Sequence, residues 1–311
     1  MSDTAGLVTV TAPAKINVHL AVGGLRPDGF HDLSTVFHAI DLHDTVLAAP
    51  ASGLALRLDG PEAAGLRSDH TNLAWRAAAL LAEHAGIAPD AAVTVRKTIP
   101  IAAGLAGGSA DAAGTLRACA ELWRLGIGAS ELALLAEQLG SDVSFALQGR
   151  TALGTGRGEQ LQQVQVRANW HWVVAAADGQ LATPAVYAEL DRQRAADGAT
   201  RTLGDPSALI EAFGRGDLEA VAGLLGNDLQ PAALALAPYL RNTLQAGADV
   251  GALAGIVSGS GPSCVFLARN AVHATEVAAA LQKTQTCRLA FAVRGDVAGA
   301  QVRLREDSVQ Q

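Results

Sequence analysis

A glycine-rich segment in the middle of the chain, followed directly by a helical pattern, most constrains the fold. Residues 100–111 have the sequence PIAAGLAGGSAD, and apolar residues recur at helical spacing after them. Glycine leaves backbone N–H groups uncovered, and a helix start adds about half a positive charge from its dipole. Gly104, Gly107 and Gly108 therefore predict an anion cradle suited to phosphates. A closely packed buried turn is the structural alternative, because glycine permits that as well.

Two common phosphate-binding motifs are excluded. No G-x-x-x-x-G-K-[ST] stretch occurs, so the segment is not a Walker-type loop. The dinucleotide pattern G-x-G-x-x-G also fails. After Gly154 and Gly156 the third glycine is replaced by Glu159, and after Gly259 and Gly261 it is replaced by Cys264. Neither Ser109 nor Ser260 lies in a G-x-S-x-G nucleophile elbow.

Composition and charge narrow the class of protein. Of the 311 residues 50% are hydrophobic and only 17% are charged, which is typical of a folded chain. The net charge of −7 argues against a nucleic-acid partner. No apolar stretch is long enough for a membrane span, and we expect no secretory signal, because the first ten residues hold no basic region followed by an apolar one. Three distant cysteines predict neither a disulfide framework nor a zinc motif, so we expect a cytoplasmic protein.

Strand and helix patterns alternate along both halves of the chain, which indicates an α+β fold. We expect two domains, residues 1–165 and 166–311, although no linker marks the boundary. Separate strands are expected over residues 8–11 and 15–22, and a helix with Ser130 as its N-cap follows the glycine-rich helix. Ser141 and Asp142 are expected as the N-cap and first turn of the next helix.

Two polar residues on one strand and one aspartate are candidates for chemistry. Lys15 and Asn17 alternate with apolar neighbours, so they share a face that is either solvated or turned into a cleft; the pattern leaves both open. Asp142, at a helix start, is favoured as the anion and could act as a base. Taken by itself, however, the pattern favours an ordinary first-turn aspartate that only caps the helix.

An aromatic residue and a histidine follow a Pro-Asp-Gly turn. Phe30 and His31 could stack on and hydrogen-bond a nucleobase, in a chain that is only 4% aromatic. The histidines at 19, 31, 38 and 43 match no metal-ligand spacing, so scattered histidines are the favoured interpretation.

Three segments together resemble the motifs of the GHMP small-molecule kinases. They are residues 13–17 (PAKIN), residues 100–111 and residues 258–261 (SGSG). Further stretches resemble the branch of this family that acts on a cytidine-diphosphate-linked polyol: residues 12–45 with RPDGFH at 26–31, DHTNL at 69–73, LGSDV at 139–143, and Thr183-Pro184.

The resemblance implies both a fold and a reaction. The fold would pair an N-terminal nucleotide-binding domain, like ribosomal protein S5 domain 2, with a ferredoxin-like C-terminal domain. The reaction would be ATP-dependent phosphorylation of the 2-hydroxyl of cytidine-diphosphate methylerythritol in non-mevalonate isoprenoid synthesis. Mg²⁺ would accompany ATP. We expect a monomer or weak homodimer with small-molecule partners only.

The resemblance also implies roles for individual residues. Lys15 and Asp142 would be the catalytic pair, and the Ser109 hydroxyl could bind the metal. The ATP site would comprise Asn72, Lys97, Pro100, Ile101, Ala102, Ala103, Gly104, Leu105, Ala106, Gly107, Gly108 and Ser109. The acceptor site would comprise Asn17, Phe30, His31, Tyr187, Gly259, Ser260 and Gly261.

Two departures from the family pattern concern the loop and the catalytic helix. Alanines stand at 102, 103 and 106 in place of glycines found in some relatives, and they would leave the backbone N–H groups accessible if φ stays negative. Ser144 stands where the family often has a proline, and the serine would loosen the first turn of its helix.

Two other functions compete. One is a GHMP kinase for homoserine or a mevalonate-type alcohol, against which Phe30, His31 and Tyr187 argue. The other is a non-catalytic nucleotide-binding regulator, which would need neither Lys15 nor Asp142.

Overall fold

Two β-sheets organise the chain, which a computed structural model describes over residues 6–197 and 202–303. The strands are β1 (Val8–Leu25), β2 (His31–Ala49), β3 (Leu54–Asp59), β4 (Ala91–Arg96), β5 (Thr151–Thr155), β6 (Gln160–Gln163), β7 (His171–Ala176), β8 (Gly226–Asn227), β9 (Ala254–Val257), β10 (Cys264–Ala268), β11 (Leu289–Arg294) and β12 (Gln301–Val302). The helices are α1 (Leu73–Ala85), α2 (Gly107–Leu122), α3 (Ala129–Leu139), α4 (Ser141–Gln148), α5 (Thr183–Asp197), α6 (Ser207–Arg215), α7 (Leu218–Leu224), α8 (Gln230–Leu236), α9 (Leu240–Asp249) and α10 (Ala271–Thr284).

The first sheet is built around one long antiparallel pair. β1 and β2 pair from Val8 opposite Ala48 to Leu25 opposite His31, and the sheet order is β12-β1-β2-β4-β3. β5 joins β2, β6 joins β5, and β8 lies parallel to β1. The second sheet is antiparallel, in the order β11-β7-β10-β9. Because β8 and β12 return to the first sheet, the boundary near residue 165 stays a prediction.

β1 is one bulged strand, so the expectation of two separate strands was wrong. Its register with β2 shifts at Pro13/Ala14, Asn17/His19 and Val22/Leu25, and a bulge lets a long strand bend without ending. The bend divides its apolar side chains between two cores: Ile16 and Val18 in the first, Leu20 and Val22 in the second.

The starts of α1, α3 and α4 are set by different N-cap residues. Asn72 caps α1 by accepting a hydrogen bond from the Ala74 N–H (2.9 Å). Gly128 is the N-cap of α3, so the expectation of Ser130 was wrong; the backbone turns into the helix earlier, without a side-chain cap. Gly140, with φ +152°, precedes α4, which makes Ser141 a helical residue and not the N-cap.

The core is rich in small aliphatic side chains. α2 lies on the first sheet and is buried over most of its length, with Gly114 set so close to Val46 that a Cβ would lie 2.7 Å from Val46 Cγ2. Cys119, Cys264 and Cys287 are buried free thiols. In the described part of the chain, no helix is both long and apolar enough to cross a membrane.

Candidate active site

Three adjoining cavities form a cleft along the junction of the two sheets. The first, of about 340 Å³, is lined by the loop at residues 99–108 and the start of α1. The central cavity, of about 460 Å³, shares Gly104 and Ala106 with it. The third, of about 680 Å³, shares Tyr187 and Arg157 with the central one. The central cavity therefore adjoins the first cavity on one side and the third on the other.

The glycine segment forms the wall between the first two cavities. Its backbone takes left-handed conformations at Ala102 (φ +52°), Gly104 (φ +74°) and Ala106 (φ +59°), so the condition of negative φ is not met at Ala102 or Ala106. Ala106 is the N-cap of α2 and makes no side-chain cap bond. The first N–H groups of α2 therefore have no side-chain acceptor at this cap, as a phosphate-binding helix start requires.

Lys15 turns into the central cavity, which resolves the alternative left open by the sequence. Its ammonium donates a hydrogen bond to Asn17 Oδ1 (2.7 Å) and lies 3.8 Å from Asp142 Oδ2. It also lies 5.7 Å from the centroid of the Phe37 ring. The Lys15 side chain is 9% exposed and that of Asp142 is 37% exposed, so the carboxylate is open to a ligand. The pair can hold and deprotonate a hydroxyl.

A hydrogen-bond chain fixes Asn17 and through it Lys15. Asn17 Nδ2 donates to Thr35 Oγ1 (2.8 Å), and the Thr35 hydroxyl donates to the His19 carbonyl (2.8 Å). The Asn17 N–H donates to Ser258 Oγ (3.1 Å). Because each donor has an acceptor, the lysine is held at the cavity wall by buried partners.

The turn at residues 258–261 closes the other side of the central cavity. Asn227 Nδ2 donates to the carbonyl oxygens of Val257 (2.8 Å) and Gly259 (2.7 Å). The Ser260 and Thr183 hydroxyl oxygens are 2.9 Å apart. Gly259 and Ser260 line the cavity, whereas Gly261 lies behind its wall against Val257 and Leu181.

Aromatic side chains border the third cavity. The His31 and Tyr187 rings are 5.1 Å apart, and His31 Nε2 lies 3.0 Å from Asp191 Oδ1. Phe30 is 51% exposed, and the Arg157 guanidinium lies 5.0 Å from its ring centroid. Burial, assisted by the Asp142 charge, raises the pKa of Tyr187 to about 12, so its hydroxyl stays protonated. The flat faces of these aromatic rings suit stacking against a planar ring of a ligand.

Lys97 lines the first cavity, but its ammonium group is already paired with two carboxylates. It contacts Asp44 and donates to Asp111 Oδ2 (2.7 Å), and all three side chains are nearly fully buried. Burial works against the ammonium, but the two carboxylates outweigh it and raise the pKa of Lys97. Burial and the Asp44 charge raise the pKa of Asp111 to about 8 against the pull of Lys97.

The remaining sequence candidates lie near these groups. Ser109 lines the central cavity from the first turn of α2. Asn72 lines the first cavity, although its amide also caps α1 and donates to the Arg67 carbonyl (2.8 Å). Ser144 is buried in α4, and its hydroxyl has no hydrogen-bond partner within the described structure.

Several residues of the site were not predicted from the sequence. Thr35, Arg157 and Asp191 line the cleft cavities, and Asn227 holds the turn at residues 258–261 from a distant segment.

Comparisons with known proteins identify the family of this chain. The family description "GHMP kinases N terminal domain" matches residues 72–150, and "GHMP kinases C terminal" matches residues 209–286. A Salinispora arenicola protein named 4-diphosphocytidyl-2-C-methyl-D-erythritol kinase is 56% identical over 298 residues, covering 96% of this chain and 95% of the relative. A relative of the same name from Mycolicibacterium smegmatis is 54% identical over 301 residues, covering 96% and 93%.

Two solved structures are similar to this chain over almost its whole length. A crystal structure of 4-(cytidine 5'-diphospho)-2C-methyl-D-erythritol kinase is similar with a TM-score of 0.77 at 33% identity, covering 93% of this chain and all (100%) of the other. L. major mevalonate kinase in complex with R-mevalonate has a TM-score of 0.76 at 15% identity, covering 96% and 100%. The latter likeness concerns the fold alone.

Proposed function

This chain belongs to the GHMP kinase family, and from that premise we propose that it transfers the γ-phosphoryl group of ATP to the 2-hydroxyl of 4-diphosphocytidyl-2-C-methyl-D-erythritol. The family resemblance noted in the sequence is thereby confirmed, and so is the α+β GHMP kinase fold. One observation carries the proposal furthest: Lys15 and Asp142 face each other in a cavity between a glycine loop and an aromatic pocket.

The two ends of the cleft suit the two substrates. Backbone N–H groups at the loop and at the start of α2 would bind the ATP phosphates, with residues 100–108, Asn72 and Lys97 around the nucleotide. Phe30, His31 and Tyr187 would hold the cytosine ring. The methylerythritol hydroxyl would then lie in the central cavity, beside Asn17, Gly259 and Ser260.

Phosphoryl transfer depends on in-line positioning and charge stabilisation more than on covalent chemistry. Asp142 would accept the proton of the acceptor hydroxyl as the oxygen attacks phosphorus. Lys15, held by Asn17, would orient Asp142 and offset the negative charge that develops on the transferred group.

Magnesium would enter with ATP. Mg²⁺ prefers oxygen ligands, keeps several waters and commonly binds substrate phosphates with one or two protein oxygens. The Ser109 hydroxyl faces the central cavity and fits such a donor set. When bound, the ion would neutralise charge on the phosphates.

We also propose a cytoplasmic monomer or weak homodimer acting on small molecules alone. The buried free thiols are consistent with a reducing compartment, and the net charge of −7 does not favour nucleic acid.

An acceptor panel tests the proposed function. The purified protein is incubated with Mg-ATP and, separately, cytidine-diphosphate methylerythritol, homoserine or mevalonate, and ADP release is followed. We expect rapid turnover with the cytidine acceptor alone. Turnover with homoserine or mevalonate instead would select the competing kinase, and ATP binding without turnover on any acceptor would favour the regulator.

A further inference from the structure

Glu62 joins the glycine loop to the second sheet. It lies between β3 and α1 and is only 8% exposed. Its Oε2 accepts a hydrogen bond from the Ile101 N–H (3.2 Å). Arg288 Nη1 donates to Oε1 (2.7 Å) and Nη2 donates to Oε2 (3.2 Å). One carboxylate therefore holds the loop and a bidentate arginine together.

Arg288 extends from the framework of the second sheet. Its N–H donates to the carbonyl of Ala176, the last residue of β7 (2.8 Å), and its carbonyl accepts from Gln282 Nε2 (3.3 Å). The hydrogen bonds from Arg288 hold the pKa of Glu62 below its ordinary value, so the carboxylate is ionised near neutral pH. The Glu62–Arg288 ion pair is thus a charge-assisted connection between the glycine loop and the second sheet.

The Glu62 segment is itself held close to the strand that leads into the loop. Gly60 has φ +96°, and a Cβ there would lie 2.6 Å from the Lys97 carbonyl oxygen. The Glu62 N–H donates to the same carbonyl (3.4 Å). Glu62 therefore has a defined position from which to orient Ile101.

We propose that Glu62 and Arg288 are a positioning pair that sets the glycine loop against the second sheet for ATP binding. This inference rests on the proposed function, in which the loop holds ATP phosphates. The second sheet contacts the loop at Ile101 through the pair and, through the turn at residues 258–261, at Gly104. Without the pair, the Ile101 end of the loop is released and its N–H groups lose their alignment.

Steady-state kinetics of Glu62→Gln and Arg288→Gln test this role. We expect Glu62→Gln to raise KM for ATP about ten-fold, because a small displacement of a positioning group has large effects. KM for the acceptor should stay within about two-fold, since the loop does not border the aromatic pocket. Arg288→Gln should change KM for ATP in the same direction. Its side chain is 37% exposed, so this variant tests the pair even if Glu62→Gln fails to fold.

Another ion pair, formed by Asp41 and the last residue of β11, Arg294, supplies the matched control. Asp41 accepts a hydrogen bond from the Arg294 N–H (2.6 Å) and lies 4.0 Å from its guanidinium, also joining β11 to the first sheet. Neither residue lines the cleft cavities. Asp41→Asn should leave both KM values unchanged.

Two results would overturn the positioning role: an unchanged KM for ATP in both Glu62→Gln and Arg288→Gln, or the same increase in Asp41→Asn. Calorimetric titration with Mg-ATP separates this inference from the proposed function. If the wild type turned over no acceptor, the proposed function would fail, while weaker ATP binding by Glu62→Gln and Arg288→Gln, but not by Asp41→Asn, would still support the pair.

Discussion

Gly104 packs directly against Gly261, so that a Cβ atom on Gly104 would lie 2.7 Å from the Gly261 carbonyl oxygen and 3.0 Å from that of Ser258. Gly104 also has φ +74°. The loop proposed for ATP and the turn beside the acceptor cavity are thus in contact through backbone atoms. The distance between the two binding regions depends on the absence of a side chain at this point.

Replacing Gly104 by alanine should push the two segments apart. Gly53→Ala is the matched control, because Gly53 has φ +80° and a Cβ there would meet no other atom within 4 Å. Both variants incur the left-handed strain of about 1–2 kcal/mol. Only Gly104→Ala should lose further stability in urea unfolding and show a raised KM for ATP. Indistinguishable variants would show that the contact is unimportant.

Local patterns in the sequence predicted several parts of the site. The alternation of Lys15 and Asn17 placed them on one face, and the glycine segment predicted a helix start over the cleft. These features depend on periodicity and backbone chemistry within a few residues. The exact capping of α3 was missed because Gly128 and Ser130 are both plausible starts, and only the fold selects between them.

Non-local packing explains what the sequence did not predict. Asn227 orders the turn at residues 258–261 from a short segment beside β1, and Arg157 reaches Phe30 from the loop after β5. The bulges that keep β1 continuous arise from its pairing with β2. Such contacts have no spacing rule along the chain.

Phe30→Ala should weaken binding of the cytidine acceptor. The exposed ring borders the third cavity, and stacking on a base is worth about 1–3 kcal/mol, so KM for the acceptor should rise about five- to 150-fold. KM for ATP should not change. Leu134→Ala, which removes another exposed apolar side chain (60%) outside the three cavities, should behave as the wild type. Equal effects of Phe30→Ala on both substrates would argue against a base-binding role.

Asp111→Asn should flatten the pH dependence of stability. Since burial raises the pKa of Asp111 from 3.8 to about 8, the folded chain retains a proton that the unfolded chain releases above pH 3.8. This contribution is complete at low pH and is lost as pH rises towards 8. Urea unfolding from pH 5 to 8.5 should show a smaller decline for the variant. If the stability of the wild type and of the variant declined equally with pH, the retained proton would belong to a group other than Asp111.

The buried thiols should resist alkylation in the folded protein. Burial raises the pKa of Cys119 and of Cys264 to about 12, so little thiolate forms at pH 8 and access is blocked. Mass spectrometry after iodoacetamide treatment should find both unmodified until denaturant is added. Rapid modification without denaturant would contradict their burial.

Under the proposed function, Asp142 acts as the base beside Lys15. Single-turnover transfer from Mg-ATP to cytidine-diphosphate methylerythritol is compared for the wild type, Asp142→Asn and Asp32→Asn, whose side chain on β2 is 70% exposed. We expect Asp142→Asn to be slower by about a hundred- to ten-thousand-fold with ATP binding retained, and Asp32→Asn to match the wild type. Transfer by Asp142→Asn at the wild-type rate would contradict the assignment.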